Sequence, residues 1–230
     1  MSNNNEQESY ESPEALHVQL NKTEDYVKKN KTIFIAAIGA VVLLVFGVWF
    51  WKSNSTKSEI EAAKAIYVAE DYFRKDSLDL ALNGDGMNKG FLAVSSSFSG
   101  TKAGALADFY IGVIEINKGN FEEAAKRLSK YDTDAYLVQA RAYVLAGDAY
   151  SEQGNTAEAI KYYTKASDSQ PNEEFTPGYL MKLALAYEND KKFADAVLTY
   201  EKIASDYPNC KQIDNVRKYL AKTTLLAKKD

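Results

Sequence analysis

The chain has one cysteine, one histidine and four prolines in 230 residues, and each scarcity excludes something. Cys210 has no second thiol to pair with, so no internal disulfide exists, and a single Cys with a single His cannot build a zinc site. Cys210 follows Tyr-Pro-Asn near a helix start, where a thiol can be acidified or simply inert, and no role is assigned to it. His17 lies near the start without a carboxylate or serine beside it, and nothing after it can supply a nucleophile–histidine pair. No glycine run spells a phosphate loop or a dinucleotide fingerprint. Carboxylates are plentiful, but helical surfaces carry them by default and no pair stands out against an apolar pocket. An enzyme is not expected, and neither is a cofactor or a small-molecule substrate. An excess of basic charge is also missing: 28 Lys and Arg face 32 Asp and Glu, a net charge of −4, which argues against a nucleic-acid partner. Few prolines with abundant Ala, Leu, Tyr, Lys and Glu point to an all-α protein.

What the chain does have is a twenty-residue run without charge, Thr32 to Trp51. At ~1.5 Å per residue it spans about 30 Å, the thickness of a bilayer's hydrocarbon core, and a helix satisfies its own backbone there. The expected organisation is a tail (1–31), a single transmembrane helix (32–51), a polar linker (52–57) and a domain (58–230). In the tail, 1–12 reads as disordered and 13–30 as a short helix carrying Leu16, Leu20 and Val27. Lys28, Lys29 and Lys31 crowd the start of the run and Lys52 alone touches its end, which predicts a cytoplasmic tail and an outer domain. The run is too long for a signal-peptide core, no Ala-x-Ala site follows it, and it should stay uncleaved. Trp49 and Trp51 suit the outer interface. Ala36, Gly39, Ala40 and Gly47 form a small-residue stripe that either admits a second transmembrane helix or reflects ordinary span composition.

Beyond the linker the sequence repeats itself. From Gly147, Tyr150 follows at +3, Gly154 at +7, Ala159 at +12, Tyr163 at +16 and Pro171 at +24. The next unit shows Leu183-Ala184, Tyr187, Phe193, Ala196, Tyr200, Ile203 and Pro208. A third, upstream, shows Ile111-Gly112, Gly119, Phe121, Ala124 and Leu128, with Glu115 where Tyr is expected. This is the tetratricopeptide pattern of paired antiparallel helices, placed at about 105–138, 140–173 and 177–210, with 212–227 as a capping helix. Small residues mark the close helix crossing, Tyr150 and Tyr163 fill around it, and Gly154 takes the turn. Residues 58–74 should form the first helix of the domain and 90–98 its partner. Asn83-Gly84-Asp85-Gly86 between them reads as a turn; as a calcium loop it would put Leu92 where the bidentate Glu belongs.

In such repeats the first helix of each pair lines the concave face. The mapped positions include Phe109, Val113, Ile116 and Asn117; then Arg141, Val144, Asp148, Ser151 and Glu152; then Met181, Leu185, Glu188 and Asn189. The expected protein-binding groove is Phe109, Val113, Ile116, Asn117, Val144, Asp148, Ser151, Met181, Leu185 and Glu188, an apolar floor with an acidic and amide rim. Helix 58–74 either leaves this floor open or covers part of it.

Thr23-Glu-Asp-Tyr-Val-Lys-Lys-Asn-Lys before the run, Trp-Phe-Trp at its end and an all-repeat domain after it resemble the YfgM-like proteins, ancillary factors of the bacterial Sec translocon. Asp76-Ser-Leu-Asp-Leu-Ala-Leu-Asn-Gly-Asp-Gly, Gly90-Phe-Leu and Thr101-Lys-Ala-Gly resemble the form found in Bacteroidetes. The resemblance implies an inner-membrane protein with a periplasmic domain. Its implied partners are SecYEG and a membrane-anchored prolyl-isomerase-like chaperone, its role the handling of exported chains. A scaffold for cell division or outer-membrane secretion is the alternative.

Overall fold

The structure, a computed structural model, describes residues 29–229; the expected tail helix and His17 lie outside the described residues. The chain divides into two units, Met1–Thr56 and Lys57–Asp230. Ten helices are described: α1 (Lys31–Arg74), α2 (Leu78–Asn83), α3 (Phe91–Ser97), α4 (Lys102–Asn117), α5 (Phe121–Leu128), α6 (Tyr136–Glu152), α7 (Thr156–Asp168), α8 (Thr176–Asn189), α9 (Phe193–Asp206) and α10 (Ile213–Ala227). No strand is assigned among the described residues. Residues 52–57, expected as a linker, are helical and belong to α1.

In the first unit Val41, Val42, Leu43, Leu44, Val45 and Phe46 are consecutive and all 59–73% exposed. Six successive positions cover every side of a helix, so this segment is apolar all round rather than amphipathic. Among the described residues no helix is long and apolar enough to cross a membrane. The side chains of Phe34, Ile38, Val48, Phe50 and Trp51, which complete the uncharged run in the sequence, are not among those described.

The second unit is built from one device used four times. Asp76, Gly119, Gly154 and Lys191 take left-handed φ values of 58°, 79°, 73° and 59° at the ends of α1, α4, α6 and α8. In each case the following N–H donates to the carbonyl five residues back: Ser77 to Tyr72, Asn120 to Glu115, Asn155 to Tyr150 and Lys192 to Tyr187, at 2.8–2.9 Å. This closure satisfies carbonyls that the helix end would otherwise leave open, and it reverses the chain. Five residues after each left-handed residue stands an alanine (Ala81, Ala124, Ala159 and Ala196) and each is 0% exposed. Seven residues before it stands Ala69, Gly112, Gly147 or Ala184, all buried.

The α1–α2 turn therefore belongs to the same series as the other three, which the sequence reading does not see. That reading pairs 58–74 directly with 90–98. The structure instead places α2 immediately after the turn, breaks it at Asn83, and resumes the helix as α3. Between them a tight loop is held by Asp85, whose carboxylate accepts from Asn88 N (2.6 Å), Asn88 Nδ2 (2.8 Å), Tyr72 Oη (2.8 Å) and Met87 N (2.9 Å). These donors, the Asn88 backbone first, hold the carboxyl well below the usual range.

Each of α4 to α10 packs on its sequence neighbour. Buried side chains fall into three consecutive clusters, around Phe91 and Ile111, around Leu128 and Ala146, and around Tyr200 and Val216. Such a chain of neighbour contacts is the energetics of a solenoid. α10 closes the end by burying Val216 and Thr223, each 0% exposed.

The crossings set a testable difference between two glycines. A Cβ on Gly147 would meet the Tyr163 ring at 2.6 Å, whereas one on Gly154 meets nothing and suffers only from φ 73°. Gly147→Val should lower the unfolding free energy by about 1–3 kcal/mol through overpacking. Gly154→Asn should cost less than about 1 kcal/mol, because Asn tolerates left-handed backbone. Urea titration followed by far-ultraviolet circular dichroism separates them, and equal losses would refute this view of the crossing.

Candidate protein-binding groove

The first helices of successive hairpins, α4, α6 and α8, leave two adjoining hollows. One, of about 300 Å³, is lined by Phe109, Val113, Ile116 and Asn117 from α4, with Arg141 and Leu145 from α6 and Phe73 from α1. The other, of about 450 Å³, holds Ile116, Asp148, Ser151, Glu152, Lys182 and Leu185 among its walls, with Asn189 at its end. Ile116 lines both, so they form one groove with an apolar and a polar compartment.

Seven of the ten expected groove residues line it: Phe109, Val113, Ile116 and Asn117 on the apolar side, and Asp148, Ser151 and Leu185 on the polar side. Three do not. Val144 is 1% exposed, because it shares a helical stripe with Ala140 and Gly147, the stripe that meets the partner helix. Met181 packs against the C-terminal cluster around Leu180 and Tyr200. Glu188 is claimed by α9 and α10: its carboxylate accepts from Thr223 Oγ1 (2.7 Å), Tyr200 Oη (2.9 Å) and Lys222 Nζ (3.2 Å).

Helix α1 does not turn this floor into core. Its Ala62, Ile66 and Ala69 bury with Ala107, Ile111 and Ile114 of α4, while Phe109, Val113 and Ile116 stay half-buried. Of its described side chains only Phe73 lines the groove, as a wall whose ring lies 4.9 Å from that of Tyr110. Phe73, Leu145 and Lys182 are among the lining residues the sequence reading misses. For Lys182 a signal exists, since it stands one repeat, 34 residues, after Asp148.

Asp148 accepts from Tyr163 Oη and from Lys182 Nζ, both at 2.7 Å. Burial, with the Asp148 charge beside it, pushes the Tyr163 phenol far above its ordinary value, so it remains a donor. Glu188 repeats the arrangement with Tyr200 and Lys222, again 34 residues on. In both, an acid on a first helix takes a phenol from the second helix of its own hairpin. It also takes an ammonium from the helix that follows the hairpin, α8 or α10. The pairs thus tie the α6–α7 hairpin to α8 and the α8–α9 hairpin to the capping helix α10, and charge-assisted bonds of this kind are the stronger sort.

These features define a stack of helical hairpins with a solvent-open groove. Two models of the tetratricopeptide repeat match the chain, one over residues 140–173 and one over 179–209. No curated protein matches it. The chain carries tetratricopeptide repeats, and such repeats make it a protein–protein interaction module. Among the described residues no group of His, Cys, Asp or Glu could hold a metal ion.

Glu188 gives the module an acid limit. Burial pushes its carboxyl up, but hydrogen bonds from Thr223, Tyr200 and Lys222, with the Lys222 charge, prevail and hold it below its ordinary 4.5. A depressed folded-state value contributes stability that is complete above pH about 4.5 and is lost as pH falls through the folded value. Glu188→Gln should cost about 1–3 kcal/mol at neutral pH. It should also flatten the fall of the urea midpoint below pH about 4.5; a slope unchanged from the parent would refute the assignment.

Proposed function

We propose that this protein is a single-pass, inner-membrane receptor whose domain grips other polypeptides on the periplasmic side, working beside the Sec translocon. The observation that carries the binding half is the groove. Phe109, Val113, Ile116 and Leu185 keep apolar surface open to solvent on rigid helices, next to a polar compartment that can orient a bound chain.

The membrane half rests on the uncharged run and on the segment Val41–Phe46, apolar on all sides and exposed. Consecutive exposed Val, Leu and Phe are costly in water at about 25 cal/mol per Å² and favourable in lipid. Lysines concentrated before the run support a tail on the cytoplasmic side. The translocon and a membrane-anchored prolyl-isomerase-like chaperone enter through the resemblance to YfgM-like proteins; the groove is compatible with either, or with an emerging exported chain.

Photo-crosslinking amino acids at Phe109, Ser151 and Leu185 of the full chain in its host membrane are the test. The protein should fractionate with the inner membrane and require detergent for release. The three sites should capture SecYEG subunits or the chaperone, while a crosslinker at exposed Lys202 on α9 should not. Recovery of cell-division or outer-membrane secretion proteins instead would move the module to that assembly and end the translocon reading.

A further inference from the structure

The groove carries charge of opposite sign at its two ends, and this specifies a ligand. The inference rests on the reading of the groove as a polypeptide-binding surface. Arg141 is the sole charged side chain lining the apolar compartment among the described residues. Glu152 lines the polar compartment. Both side chains belong to α6 and are exposed, and neither makes a salt bridge among the described residues. They stand eleven residues apart, close to three full turns, so they point to the same side of α6 about 16 Å apart along its axis.

The other charges in the polar compartment, Asp148 and Lys182, offset each other at 2.7 Å. Glu152 therefore leaves that end negative. Helix ends add to it: Glu152 and Asn189, both in the polar compartment, are the last residues of α6 and α8. The carbonyl end of each helix carries a residual negative potential that favours a cation. The Arg141 end has the opposite preference.

We propose that the groove selects short extended segments with an acidic residue at one end, apolar side chains in the middle and a basic residue at the other. The acid meets Arg141, an apolar side chain enters between Phe109, Val113 and Ile116, and the base meets Glu152. About five extended residues at ~3.3 Å each span the 16 Å. Compartments of about 300 and 450 Å³ take side chains rather than a whole helix ~10 Å wide. The charge order makes binding directional, so a segment and its charge-reversed counterpart are distinguished although their composition is identical.

Fluorescence anisotropy on the full chain in detergent, with dye-labelled five-residue peptides flanked by glycines, tests this. The set is Glu–Leu–Phe–Leu–Lys, Lys–Leu–Phe–Leu–Glu and the uncharged Gln–Leu–Phe–Leu–Gln. One charge order should bind about tenfold more tightly than the other, with the uncharged peptide between them and the difference shrinking in 1 M salt. The double variant Arg141→Glu with Glu152→Arg changes exposed positions only and should invert the ranking, its fold checked by circular dichroism. If all three peptides bind alike, or the double variant keeps the parent's ranking, the directional inference falls and the groove reading stands. If none binds while Phe109→Ala and parent protein behave identically, both fall.

Discussion

The architecture depends on how closely two antiparallel helices can approach. In each hairpin the approach is licensed by a residue with little or no side chain, Ala69, Gly112, Gly147 or Ala184, seven positions before the left-handed turn residue. A buried alanine follows five positions after that residue in every case. The gap is then filled from the second helix, by Leu128 against Gly112 and by Tyr163 against Gly147. Dispersion falls steeply with separation, so contact at this range is worth far more than the same side chains a single ångström further apart. The closing turn sets the length at which the crossing must occur, and the alternation of first and second helices follows from it.

The groove is a consequence of that alternation. Second helices pack behind the first ones, so a first helix has one side committed to its crossing and another left toward solvent. Val144 and Leu145 on α6 show how narrow the division is. Val144 lies on the crossing stripe with Gly147 and is closed off, while its neighbour Leu145 turns toward the apolar compartment. Polar links hold the first helices at their spacing. Asp148 with Lys182, and Glu188 with Lys222, fix successive hairpins at two different depths of the stack. One pair lines the groove. The other takes its lysine from α10 and does not line the groove.

Much of this was legible in the sequence because the informative residues are those without freedom. Gly147, Ala159 and Tyr163 are set by sterics, and sterics recur at fixed offsets. The first hairpin escaped notice for the same reason. Nine positions after the turn residue, where Leu128, Tyr163 and Tyr200 fill the crossing, this hairpin has Asp85, which cannot be buried without partners. Read by spacing alone, the repeat disappears. The groove membership of Phe73 is likewise hidden, since it comes from the hairpin whose spacing Asp85 interrupts. Val144 was misplaced because a repeat position names a face of a helix only to within one residue, and one residue on a helix is a turn of about 100°.

Asp85 shows how the fold accommodates that departure. A carboxylate at the filling position ends α2 after six residues, and the chain leaves the helix through Gly84 and Gly86, at φ 86° and 88°. Four donors satisfy Asp85 outside the core, one of them the Tyr72 hydroxyl from the closing turn itself. The apolar filling is then supplied later in the chain by Phe91, which is 0% exposed, belongs to the same cluster as Ala69 and stacks on Tyr110 at 4.7 Å. Tyr110 in turn meets Phe73, the residue that walls the groove. The loop that interrupts the first repeat is thus connected, ring by ring, to the apolar compartment. Substituting a filling side chain for Asp85 would have to displace Phe91, and with it the stack that holds Phe73 at the groove's edge.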